Sequence, residues 1–195
     1  TTQLTASIPA SLIASAGTNN VRVRQSPFLP IFSNTVVFTV NNPAPTLSSI
    51  SPTSTLVGTG GAGGVTLVLN GTGFNASTVA RLDGVNLPTT FGSSVLLNAS
   101  ISAAILSSAG AHLVSVFTPA PGGGTTGSLS YSVTNPSPSL SFVVPSSTTV
   151  GAGNVGFTAL GSGFNSQSVI RLDGVDLATT VNGTVRLCPS RLNAG

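Results

Sequence analysis

The sequence predicts an all-β protein made of β-sandwiches, and two patterns in the 195 residues support this class. Apolar residues alternate with polar ones along short runs such as 4–8 and 129–133, which is typical of strands with one face buried. Asp83-Gly84 and Asp173-Gly174 lie between apolar runs, where both residues tolerate the positive φ of a tight hairpin. Short strands punctuated by glycine and proline favour a sandwich over a barrel or an α/β fold.

The strands belong to an internal repeat, which fixes the size of one structural unit. Residues 134–141 repeat residues 41–48 after 93 positions. The segment of residues 71–85 recurs at 161–175, after 90 positions. The opening segment 4–8 recurs as 97–101.

This period predicts three tandem units, of which one is complete. Residues 43–135 form the complete unit, which is long enough to bury its own core. Residues 1–42 correspond to the C-terminal half of such a unit, and residues 136–195 correspond to its N-terminal part.

Five segments of the complete unit form a pattern that runs through most of it. They are Ile50-Ser51-Pro52-Thr53-Ser54, residues 65–74 ending in Gly71-Thr72-Gly73-Phe74, Leu82-Asp83-Gly84, residues 97–101 and residues 114–119. With this pattern, residues 45–133 resemble an IPT/TIG domain, and partial units of the same kind cover the rest of the chain. The resemblance implies an immunoglobulin-like fold of the type found in bacterial surface proteins, plexins and some transcription factors. Because members of this family have many functions, it implies no activity.

Charged residues are few, and their distribution argues against several partners. The chain has six arginines and three aspartates and lacks lysine and glutamate. Its net charge of +3 is not concentrated in a basic cluster, so we expect no binding to nucleic acid. No run of 18 apolar residues occurs, so we expect no membrane insertion. The chain begins with Thr1 and has no Met, so we expect a processed product or a piece of a longer protein whose targeting signal lies elsewhere.

The residues that most often carry catalysis are isolated in this sequence. His112 is the single histidine and Cys188 the single cysteine, and neither lies in a nucleophile motif. We therefore expect His112 to be a half-exposed strand residue and Cys188 to be inert. Metal-ligand spacings and phosphate-binding loops are also absent, so the sequence predicts no enzyme and no cofactor.

The three aspartates have structural interpretations. Asp83 and Asp173 are equivalent turn residues, and Arg81 and Arg171 two positions earlier predict local arginine–aspartate pairs. Asp173 and Asp176 together would be a poor Ca²⁺ site, because this ion prefers six or more oxygen ligands.

Two sets of residues are candidates for surface functions. Arg22 and Arg24 replace Ser115 and Phe117 of the complete unit and predict a contact patch for an acidic or glycan partner. Four asparagines match the N-glycosylation pattern, with Asn98 the best candidate because it occupies an outward strand position. They are Asn98, Asn70, Asn75 and Asn182.

The two partial units are complementary halves, and three explanations are open. The chain is a window in a longer repeat array, or copies join head to tail, or the two halves combine within one chain. A half-sandwich exposes a core face and a strand edge, which favours pairing with another chain. We therefore expect a non-enzymatic structural protein of the bacterial cell surface, as a filament subunit or a stalk segment. The alternative is an adhesin or carbohydrate-binding module, although the chain has no Trp and one Tyr for stacking on sugars.

Overall fold

The computed structural model describes residues 2–25, 31–165 and 167–181. The predicted all-β class is confirmed, because strands dominate and the helical segments of the described residues are short 3-10 turns. These turns are Ala10–Ile13, Gly61–Gly63 and Ile105–Ser107. The chain forms two compact units, residues 1–134 and residues 135–195. The further division of the first unit at residue 42 stays a prediction.

The first part of the chain contributes one antiparallel hairpin. Its strands are β1 (Gly17–Val21) and β2 (Val36–Val40), with Gly17 opposite Val40 and Val21 opposite Val36. The predicted strand at residues 4–8 is wrong, because no residue of this segment belongs to a strand. Its counterpart in the complete unit is a strand held by hydrogen-bonded neighbours on both sides, and the described residues of the first part pair no strand with 4–8.

Residues 46–134 form two sheets. The smaller sheet has the order β3-β5-β9-β8, and the larger has the order β4-β12-β10-β6-β7 with β11 paired to the end of β10. Neighbouring strands are antiparallel except β4 and β12, which are parallel. The strands are β3 (Thr46–Ser51), β4 (Ser54–Leu56), β5 (Val65–Thr72), β6 (Val79–Leu82), β7 (Val85–Asn86), β8 (Thr89–Ser93), β9 (Leu96–Ile101), β10 (Gly110–Thr118), β11 (Gly124–Thr125) and β12 (Leu129–Thr134).

The core lies between these two sheets, as the alternating pattern predicts. Leu67 and Leu97 from the smaller sheet and Val114 and Tyr131 from the larger sheet are completely buried in one cluster. Burial of each such side chain contributes about 1.5–3 kcal/mol. The hydrophobic effect on this single core therefore holds the two sheets together.

The last described part of the chain repeats the geometry of the complete unit. Its strands are β13 (Ser139–Val144), β14 (Thr158–Ser162), β15 (Arg171–Leu172) and β16 (Val175–Asp176). β13 pairs with β14 in the register of β3 and β5, with the same bulge after Leu140 as after Leu47. Asp83 and Asp173 turn the chain with φ of 50° and 49°, each followed by a glycine, so both predicted hairpins are present.

Asn42 connects the first hairpin to the sandwich that follows. Its backbone N–H donates to the carbonyl of Pro121 at 2.8 Å, and its carbonyl accepts from the N–H of Gly123 at 3.0 Å. Its side-chain Nδ2 donates to the carbonyl of Pro119 at 2.8 Å. Its Oδ1 accepts from Asn75 Nδ2 at 2.8 Å. Every polar group of this linker residue is therefore hydrogen-bonded within the first compact unit.

Tyr131 is buried in the apolar core, although its side chain carries a polar hydroxyl group. Its hydroxyl is buried and has no hydrogen-bond partner among the described residues. Burial raises the pKa of this hydroxyl, and a nearby Thr55 opposes the shift only in part. The counterpart of Tyr131 in the first hairpin is Phe38.

We expect Tyr131→Phe to leave the stability unchanged or to raise the free energy of unfolding by up to about 1 kcal/mol. The reason is that removing a buried hydroxyl without a partner removes a desolvation cost and no hydrogen bond. Urea unfolding followed by circular dichroism measures the change. A loss above about 1 kcal/mol would instead mean that the hydroxyl makes a stabilising hydrogen bond to Thr55.

Candidate functional site

The first hairpin exposes the side chains that a complete sandwich would bury. Val21, Val23 and Phe38 occupy the positions of Val114, Val116 and Tyr131. Phe38 is 41% exposed, whereas the ring of Tyr131 is fully covered. Val21, Val23, Val36 and Phe38 are called the hairpin face below. Val21 and Phe38 border an open apolar depression that is also lined by Ile8, Leu12 and Ile13.

The last part of the chain exposes a different part of the same kind of core, the part that β6 and the residues before it contribute in the complete sandwich. Phe164 and Leu172 are exposed and Ile170 is half-buried, and their positions are those of Phe74, Leu82 and Ala80. Leu172 is 56% exposed, whereas Leu82 is 4% exposed. Phe164, Ile170 and Leu172 are called the half-sandwich face below.

Each of these faces adjoins an open strand edge. In the complete sandwich β10 pairs with β12 on one side and with β6 on the other. Among the described residues β1 pairs along its length with β2 alone, and β15 pairs with β16 alone. The second edges of β1 and β15 therefore present backbone N–H and carbonyl groups without strand partners, and such edges favour pairing with another chain.

The turn residue Asp83 shows how the two halves of the complete sandwich are joined. Its Oδ1 accepts from the backbone N–H of Leu113 in β10 at 2.8 Å, and its Oδ2 lies 2.7 Å from Nδ1 of His112. Its own N–H donates to the carbonyl of Leu113 at 2.8 Å. The hydrogen bonds to His112 and Leu113 lower the pKa of Asp83.

The predicted pairs of Arg81 with Asp83 and of Arg171 with Asp173 are wrong. Arg81 Nε donates to Asn86 Oδ1 at 2.8 Å, and its guanidinium lies 3.8 Å from the centre of the Phe117 ring. The Asp83 carboxylate instead contacts His112 and Leu113 of β10.

The same turn in the last part of the chain has a carboxylate that pairs with none of the residues described for that part. The Arg171 guanidinium forms an ion pair through Nε with Asp176 Oδ1 at 2.6 Å. Its Nη2 donates to the carbonyl of Gly174. Asp173 is exposed and makes no hydrogen bond or ion pair with residues 136–165 or 167–181. Within the described ranges no three His, Cys, Asp or Glu side chains cluster as metal ligands, so the weak Ca²⁺ site gains no third such ligand.

Arg22 and Arg24 lie on the opposite side of the hairpin from the hairpin face. Both side chains are exposed, and the Arg22 guanidinium lies 5.1 Å from the centre of the Phe32 ring. Arg24 is bridged to Phe32 across the hairpin. The contact patch proposed for these two arginines thus includes one aromatic ring, and its partner stays a prediction.

The glycosylation candidates differ in how available their amides are. Asn98 is half-buried in β9, and Asn70 is exposed but donates to Ser49 Oγ at 3.2 Å. The Asn75 side chain donates to Asn42 and accepts from Ser77. Asn182 lies outside the described residues, as does Cys188.

We expect Asp83→Asn to remove part of the acid sensitivity of the complete sandwich. Because the folded-state pKa is lowered, ionised Asp83 stabilises the fold above the unfolded pKa of about 3.9. That contribution is lost as the pH falls through the lower folded-state pKa. Asp83 is half exposed, so solvent screening limits the effect to less than about 1 kcal/mol.

Urea unfolding of the wild type and of Asp83→Asn at pH 6 and at pH 3 checks this expectation. Asparagine tolerates the positive φ at this position, which makes the substitution a test of charge. The two proteins should differ more at pH 6 than at pH 3. An equal difference at both values would contradict the assigned role of the charge.

The candidate site is defined by comparing equivalent positions of the internal repeat, since comparisons with other proteins found no match. No helix in the described part of the chain is long and apolar enough to cross a membrane. No family model matches the chain, and no curated protein matches it either. The exposure of each side chain in the first hairpin and in the last unit is therefore compared with that of its counterpart in the complete sandwich. The differences lie at the hairpin face and the half-sandwich face.

Proposed function

We propose that this chain is a non-enzymatic structural protein of the bacterial cell surface, in which IPT/TIG-type modules form an extended string. Copies join head to tail, with the first hairpin of one copy completing the half-sandwich of the next. The observation that carries the proposal is that the hairpin face and the half-sandwich face correspond to adjoining parts of one buried core, which meet where β10 pairs with β6.

The register of the complete sandwich supports this pairing. There Val114 lies opposite Leu82 and Val116 lies opposite Ala80. Carried over by the repeat, these two pairs become Val21 with Leu172 and Val23 with Ile170. Both pairs are apolar, and three of the four side chains are exposed in the isolated chain.

The free energy gained at the joint between two copies is sufficient for association only if the strand edges also pair. Covering these four side chains contributes at most about 1.5–3 kcal/mol each. Association costs about 4–15 kcal/mol before any contact is gained. The apolar contact alone is therefore close to balance, and the added hydrogen bonds between β1 and β15 are needed for a stable joint.

A neighbouring repeat in a longer chain could cover the same faces, and the module would then be part of a stalk. Both arrangements give a string of sandwiches with a low surface charge. Glycans on Asn70 or Asn98 would be compatible with an extracellular location.

The second candidate function is an adhesin or carbohydrate-binding module. The observation that favours it is the exposed Arg22–Phe32 pair, since aromatic rings stack on sugars and arginines bind acidic groups. Loss of glycan binding in an Arg22→Ala, Arg24→Ala variant would support this function.

We expect the purified chain to self-associate in a concentration-dependent way, and Val21→Asp or Leu172→Asp to weaken association at least a hundredfold. Each variant places an unpaired charge in the joined core, which costs several kcal/mol. Sedimentation velocity over a range of concentrations measures the association constant.

Val37→Asp is the matched control, because Val37 is exposed on the other side of the same hairpin. Its counterpart Ser130 is also exposed in the complete sandwich. This variant should associate like the wild type. A wild-type chain that stays monomeric at every concentration would overturn head-to-tail assembly and leave the stalk arrangement.

A further inference from the structure

Asp83 of the complete sandwich holds partners on β10, whereas the carboxylate of the equivalent Asp173 pairs with none of the described residues of the last unit. We infer that Asp173 is the recognition site for β1 of a second copy, with its carboxylate accepting the backbone N–H of Asn20 and forming an ion pair with Arg22. This inference rests on the proposed head-to-tail assembly and specifies which residues select the partner.

The backbone geometry of the two turns supports the first contact. Asp83 both accepts from the N–H of Leu113 and donates to its carbonyl, at 2.8 Å each. Asp173 has the same φ within one degree and is also followed by a glycine, so the same backbone turn can offer the same donor and acceptor to a strand beside it. In the register shared by β1 and β10, the residue at the position of Leu113 is Asn20.

The charges at the joint support the second contact. In the complete sandwich the side-chain partner of Asp83 is His112, and the first hairpin has the neutral Asn19 at that position. Arg22 replaces Ser115, two residues beyond Asn20 on the same strand face. Two residues of strand span about 7 Å, a distance that an arginine side chain can bridge.

Arg171 does not compete for Asp173, although it would lie opposite Arg22. Its guanidinium is already paired with Asp176, where the complete sandwich has Asn86. Asp173 is then the available anion for the incoming arginine. The aspartate at position 176 thus balances the additional cation that the joint would contain.

The proposed ion pair makes association sensitive to salt. Arg22 and Asp173 carry opposite charges, and their attraction steers association. This attraction weakens at high salt, because the Debye length shortens as the ionic strength rises.

The test compares Asp173→Asn with the matched variant Asp83→Asn, which makes the same change in a turn that is already paired. Sedimentation velocity at about 50 mM and about 500 mM salt measures association. Asp173→Asn should weaken association roughly tenfold at low salt and reduce its salt dependence, since it removes a charge from a partly desolvated contact. Asp83→Asn should leave the association constant and its salt dependence unchanged.

Arg22→Ser, which restores the residue of the complete sandwich, tests the ion pair from the other side. It should weaken association by a similar factor, and the double variant with Asp173→Asn should be no weaker than either single variant. If wild type and both single variants associate equally at both salt concentrations, this inference is overturned and head-to-tail assembly stands. If the wild type does not associate at all, both are overturned.

Discussion

The pairing of β6 with β10 is the interaction on which the sandwich depends, because it joins two halves that cannot bury their apolar faces separately. Leu82 and Val114 face each other across this pair and are buried. Their counterparts Leu172 and Val21, which lack this pairing in the isolated chain, are exposed. A buried core therefore forms only where the two halves of the repeat pair with each other. Where a half lacks this pairing, its apolar face is exposed.

The sequence was sufficient to predict strands wherever the pairing partners lie close along the chain. The Asp-Gly hairpins and the alternating strands of the complete unit are present because their residues match local backbone and burial requirements. The strand predicted at residues 4–8 failed for a different reason. Its side-chain pattern is that of β9, but a strand also needs neighbours for its hydrogen bonds, and a pattern of side chains does not supply them.

The contacts of the candidate site were harder to predict. Arg81 and Asp83 are two residues apart, which suggested a local pair, but the turn directs Asp83 toward His112, 29 residues away. Sequence spacing carries no information on this contact until β6 and β10 are known to be neighbours. The exchange of Ser115 for Arg22 was visible from the repeat. That Asp173 has no partner among the described residues became apparent only from the structure of its turn.

Asn42 gives the junction between the first hairpin and the sandwich a mechanical property. A residue in a simple flexible linker would let adjacent modules swivel, whereas this one is held by four hydrogen bonds to the sandwich that follows it. Tension along the chain would load these bonds together, so the connection resists bending until several bonds break at once. The stiffness of the junction between the first hairpin and the sandwich would then be set by this one asparagine.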